Sequence, residues 1–145
     1  MVRPLQRVVV ALWAGSLWTV GFLAAPLLFA SLPTHALAGI AARQLFLGVE
    51  YLGIVCGLML LGSLWLSVSA VHKRAAISLV SIMLILSVVS LLVIDPWLDH
   101  VRRVAGAQSG QFMWAHTLAS VVYGVLCLLA LLLVLRSDRW TVKAD

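Results

Sequence analysis

Residues 8–30, 44–70, 75–94 and 112–135 form four long apolar runs separated by short polar gaps. Each run reaches the roughly 20 residues that a helix needs to cross the hydrocarbon layer. They are dense in Leu, Val and Ala and lack the period-two alternation of a membrane barrel. Backbone amides cannot stay unpaired in lipid, so helices are expected throughout. The pattern predicts an all-α, integral membrane four-helix bundle in one domain, residues 1–145. The basic start "MVRPLQR" and the later "HALAG" resemble the flanks of a signal peptide. The first apolar run, 8–30, is longer than the roughly 7–15 residues of a signal core, so a retained span is expected.

The gaps orient the bundle. Arg3, Arg7, Lys73, Arg74, Arg136, Arg139 and Lys143 fall on one side, and Arg43, Arg102 and Arg103 on the other. The positive-inside rule then places both termini in the cytoplasm, with loops 31–43 and 95–111 facing outward. Both outer loops carry signals for short helices. Thr34 is suited to cap a helix running into the second span. In "IDPWLDHVRRVAG", Asp95 is suited to cap a helix with Pro96 in its first turn and Gly106 at its end. Trp97, Val101 and Val104 share one face of that helix, as on a segment lying in the membrane interface. Trp97, Trp114 and Trp140 lie near span ends, where indole rings anchor at headgroups.

Small and polar positions select the faces expected to turn inward. In "LFLGVEYLGIVCG", Gly53 and Gly57 have GxxxG spacing and lie within roughly 60° of Glu50 on a helix. An acid inside a span costs a few kcal/mol and usually meets a cavity or a partner. On the fourth span Met113, His116, Ser120, Tyr123, Gly124 and Cys127 share roughly 100° of arc. On the first, Gly15, Thr19, Phe22 and Pro26 form a comparable seam, and Pro26 is expected to bend the helix. Glu50 and His116 fall at similar depth, which predicts that they pair if the second and fourth spans touch. Arg43, one heptad before Glu50, would neutralise the acid or attract an anion at the mouth.

Composition narrows the function classes. The chain is 63% hydrophobic and 10% charged, with mean hydropathy +1.12, far from the composition of a soluble domain. Its net charge of +5 is dispersed over short gaps, so no contiguous basic surface for nucleic acid is expected. Cys56 and Cys127 lie in apolar runs without metal-type spacing and read as buried thiols. No nucleophile triad, metalloprotease pattern or phosphate-binding glycine loop is present, so an enzyme of those classes is not expected.

The stretch "LWAGSLWTVGFLAAPLLFASLP", residues 12–33, resembles the opening of a bacterial membrane family of unknown function related to transmembrane protein 205. The resemblance rests on Leu12, Trp13, Gly15, Gly21, Ala25, Pro26, Leu28, Phe29, Leu32 and Pro33, and continues through "AGIAARQLF", Pro96, Phe112, His116 and Ser120. Thr117 stands where that family often has glycine. The likeness implies a four-helix protein of the bacterial inner membrane and no particular activity. Size and helix pattern are more remotely similar to CopD-like proteins, some of which handle haem or copper.

Three functional readings follow. In the first, an outward-facing cluster of Glu50, His116, Tyr123, Arg43 and Ser120 holds an ion or small ligand or supports transport. The absence of an internal repeat or paired broken helices weighs against transport by a single chain. In the second, His116 and Met113 supply imidazole and thioether ligands to haem or copper, with His35 and His100 in the outer loops. In the third, the polar stripes and the small residues Gly15, Thr19, Pro26, Gly53, Gly57 and Gly124 serve helix packing, homo-oligomer formation or assembly with a membrane-protein partner.

Overall fold

A computed structural model describes residues 2–66 and 73–141. Of the positions read above, 67–70 and Lys143 lie outside these residues, as do the side chains of Arg3, Lys73, Arg139 and Trp140. The described residues are all helical apart from short connections. Helix α1 (Val2–Thr19) runs through a π turn (Val20–Ala24) into α2 (Ala25–Ser31), and α3 spans His35–Leu66. Helix α4 (Lys73–Val89) runs through a second π turn (Ser90–Ile94) into α5 (Asp95–Ala105), and α6 spans Gly110–Thr141. Four of the resulting helices, Pro4–Ser31, His35–Leu66, Arg74–Ala105 and Gly110–Ser137, are long and apolar enough to cross a membrane.

Both π turns answer to a proline. Pro26 and Pro96 lack an amide proton, and in a regular helix each ring would strike the carbonyl four residues back. The chain widens just before them: Ala25 N–H reaches Val20 O and Asp95 N–H reaches Ser90 O, five residues back in each case. Flanking dihedrals stay helical, so each span continues through its turn. The expected Asp95 cap is therefore corrected. Ile94 and Asp95 are both helical, no side-chain cap bond forms, and α5 prolongs α4. Gly106, at φ 85°, does end it.

The expected outer loops shrink to residues 32–34 and 106–109. Thr34 caps α3 as expected, accepting the Leu37 N–H at 3.3 Å. Ser109 does the same for α6 through the Phe112 N–H at 3.1 Å. A repeat that the residue types hide thus emerges in the backbone: the π turns begin at 20 and 90, the prolines stand at 26 and 96, and a capped 32-residue helix follows each. The sequence-based expectation of no repeat is corrected accordingly. Two-helix units in tandem keep the same direction across a membrane, as in parallel repeats.

The spans pack in chain order around a ring. Helix α1 contacts α3 and α6, α4 contacts the same two, and α3 and α6 stand on opposite corners. Trp13 is fully buried and lies across the glycine stripe of α3. A Cβ on Gly53 would stand 2.7 Å from its Nε1, and one on Gly57 would stand 3.2 Å from its far edge. Val80, Met83, Leu126 and Leu133 complete a close-packed core on the side of the chain termini. Beyond the π turns packing changes: α2 and α5 hold no buried residue. The buried hydrophobic positions of α3 and α6 at that end are Ala38, Ala42 and Ala115.

The seam expected on the first span is inverted. Gly15, Thr19, Phe22 and Pro26 are exposed, whereas Val9, Val10, Trp13, Ala14 and Leu17 face inward. One bulky knob in a glycine hole brings two backbones together, so α1 needs no small residues of its own. Gly124 is likewise not a close-approach site, since a Cβ there meets nothing within 4 Å. Gly53→Ala is expected to lower stability by about 1–3 kcal/mol by overpacking, whereas Gly15→Ala should be neutral or stabilising by about 0.5–1 kcal/mol. Thermal unfolding of the two variants in one detergent checks both.

Candidate functional site

The widened turns leave backbone polar groups to be met from neighbouring helices, and each long helix reaches into the turn beside it. Tyr123 of α6 donates its hydroxyl to Leu17 O at 2.7 Å, and its ring lies against Gly21. Its oxygen thus sits inside the ladder of the first span, a recognised cause of local helix distortion. Gly21 is required there, because a Cβ would stand 2.5 Å from the Tyr123 ring. The same seam carries a reverse bond, from Trp18 Nε1 to Cys127 O at 3.2 Å. Phe46 of α3 meets the Tyr123 ring edge-on across the bundle, with centroids 4.8 Å apart.

At the second π turn the reaching group is an acid. Glu50 of α3, only 7% exposed, lies against Ser90, the first residue of that turn, and Asp95, which follows it. Glu50 Oε2 and Asp95 Oδ2 are both buried and find no donor among the described residues, and the same holds for Trp13 Nε1 as a donor. One turn beyond Asp95 on α5, Asp99 Oδ2 lies 3.5 Å from Arg43 and 3.9 Å from Arg103. Arg103 Nε also donates to the Asp99 carbonyl at 3.3 Å. The site therefore has two layers. A buried glutamate and a partly buried aspartate lie beneath a network of two guanidiniums and one carboxylate.

Of the expected cluster, Glu50, Arg43 and Tyr123 turn toward this interior, but His116 and Ser120 do not join them. His116 is exposed and stacks on Phe112 at 6.0 Å, while the Ser120 hydroxyl bonds the His116 carbonyl at 2.9 Å. Glu50 does not pair with His116, which stands exposed on α6 while Glu50 turns to the second π turn. At the height of His116 the inward position of α6 is Ala115, and the bundle no longer closes around the histidine. Met113 is 65% exposed. Among the described residues no group of three or more His, Cys, Asp or Glu is arranged to hold a metal, and His35 and His100 are exposed as well.

Asp95 and Ser90 are the functional residues that sequence reasoning missed. Ending the third apolar run at Ile94 assigns the aspartate to a loop, although Ser87, Ser90 and Asp95 already punctuate that run on its buried side. A groove of 490 Å³ between α5 and α6, lined by Trp97, Val101, Gly110, Gln111 and Trp114, holds no titratable side chain.

No curated protein and no solved structure matches this chain. A family model for a domain of unknown function, DUF4149, matches residues 8–107, which include Arg43, Glu50, Ser90, Asp95 and Asp99 and stop short of α6. That match spans more than half of the chain, and the protein belongs to the DUF4149 family.

Proposed function

We propose that this protein is a multi-pass protein of a bacterial inner membrane, with both chain ends in the cytoplasm, that binds and exchanges a proton at the Glu50–Asp95 pair. Seven of its ten Lys and Arg residues flank the end of the bundle that carries the termini, which supports that orientation. The resemblance of residues 12–33 to the transmembrane protein 205-related family supports the architecture and is silent on activity.

The observation that carries the proton-binding reading is the proximity of two carboxyl groups whose shielded oxygens, Glu50 Oε2 and Asp95 Oδ2, find no donor among the described residues. Two carboxylates only accept, so carboxyl groups set side by side there are satisfied by one shared proton. A proton is also the smallest cargo and needs no further ligands, which suits a site with two acidic oxygens and one serine hydroxyl.

In infrared difference spectra of the purified protein, wild type is expected to show the C=O stretch of a protonated carboxyl near neutral pH, shifting in D₂O. Asp95→Asn should abolish it, because an amide hydrogen-bonds a carboxylate with no added proton. A wild-type spectrum without that band overturns the reading. Glu50→Leu strands Ser90 and Asp95 and should cost about 1–3 kcal/mol of stability, whereas Glu50→Gln, which keeps a polar partner, should cost less. Thermal unfolding measures the difference.

A further inference from the structure

We infer that the Glu50–Asp95 pair communicates with the aqueous phase only at the α2/α5 end of the bundle, and that the Arg43–Asp99 ion pair is the barrier across that opening. The inference rests on the proton-binding reading and adds a side and a gate to it.

Packing sets the side. Toward the chain termini the pair is followed by Trp13, Val80, Met83, Leu126 and Leu133, each at most 1% exposed, and interiors of this density leave no file for water. Toward the other end α2 and α5 bury nothing. A proton therefore meets its least obstructed route past α5.

Arg43 and Asp99 stand across that route. Arg43 lies two turns before Glu50 on α3, Asp99 lies one turn after Asp95 on α5, and their side chains close the space between the helices at 3.5 Å. The positively charged guanidinium repels an incoming cation. The side chains are 39% and 30% exposed, so the pair touches both solvent and interior. Asp99 also has Arg103, 73% exposed, as an alternative partner at 3.9 Å. Arg43 can then release Asp99 without stranding a carboxylate, and Asp95 is the nearest acid for it to turn toward. Tyr123, the other titratable group near Glu50, is held by the first span's backbone and stays out of this exchange.

The test follows the shared carboxyl band after rapid transfer of protein in phospholipid nanodiscs from H₂O to D₂O. Arg43→Gln and Asp99→Asn are expected to speed its exchange by roughly fivefold, the factor that a partly exposed ion pair supports, with the band itself retained. Arg43→Lys, which keeps the charge pair, should exchange close to the wild-type rate. Leu133→Ala, which loosens the opposite end, should leave the rate unchanged. Equal rates in wild type, Arg43→Gln and Asp99→Asn overturn the gate while the binding reading stands, and faster exchange in Leu133→Ala overturns the sidedness. A wild type with no carboxyl band removes the binding reading and this inference together.

Discussion

Proline removes an amide proton from the middle of a helix, and in lipid there is no water to satisfy what is left behind. Pro26 and Pro96 impose that constraint twice, and the chain meets it the same way each time, by widening to a five-residue hydrogen bond just upstream. The widened turn carries the span onward, but it needs polar company from the next helix. Tyr123 supplies it to the first turn and Glu50 to the second. Ring order in the bundle follows from this as much as from apolar packing, because each long helix must lie beside the interrupted span that it serves.

The same turns divide the bundle into two kinds of interior. On the side of the termini, Trp13 fills the groove made by Gly53 and Gly57, and large side chains close every gap around it. On the other side the hydrophobic contacts are alanines, and charged groups take over. Glu50 sits where one regime gives way to the other. An acid deeper in would face only close-packed apolar side chains. One further out would be a surface carboxylate with ordinary chemistry.

Much of this was legible in the residues, and the failures have physical causes. Four helices, the Thr34 cap, the glycine stripe of α3 and the inward turn of Glu50 follow from hydropathy, capping chemistry and helical periodicity, which are local. The partner of Glu50 does not. Hydropathy stops at the first charge, so Asp95 reads as a loop residue, while the π turn that carries it into the bundle is a response to the next residue, Pro96. His116 failed for a different reason. Its stripe on α6 runs close to the inward face, but exposure depends on whether neighbours close around that height, and there they do not. The seam on α1 failed because small residues need to line only one side of a close approach.

The hidden repeat gives these errors a common root. Two units with the same interruptions and caps, each ending in a 32-residue helix, meet their π turns with different groups from the neighbouring helix. In one unit a tyrosine hydroxyl donates to a backbone carbonyl, and its donor is spent on the helix it supports. In the other a carboxyl group reaches a serine and a second carboxyl group, and oxygens remain without donors. A slot that closes with every partner matched holds a helix in place. In the reading proposed above, the other slot closes only with a proton, and this asymmetry between the two turns separates the scaffold of the protein from its chemistry.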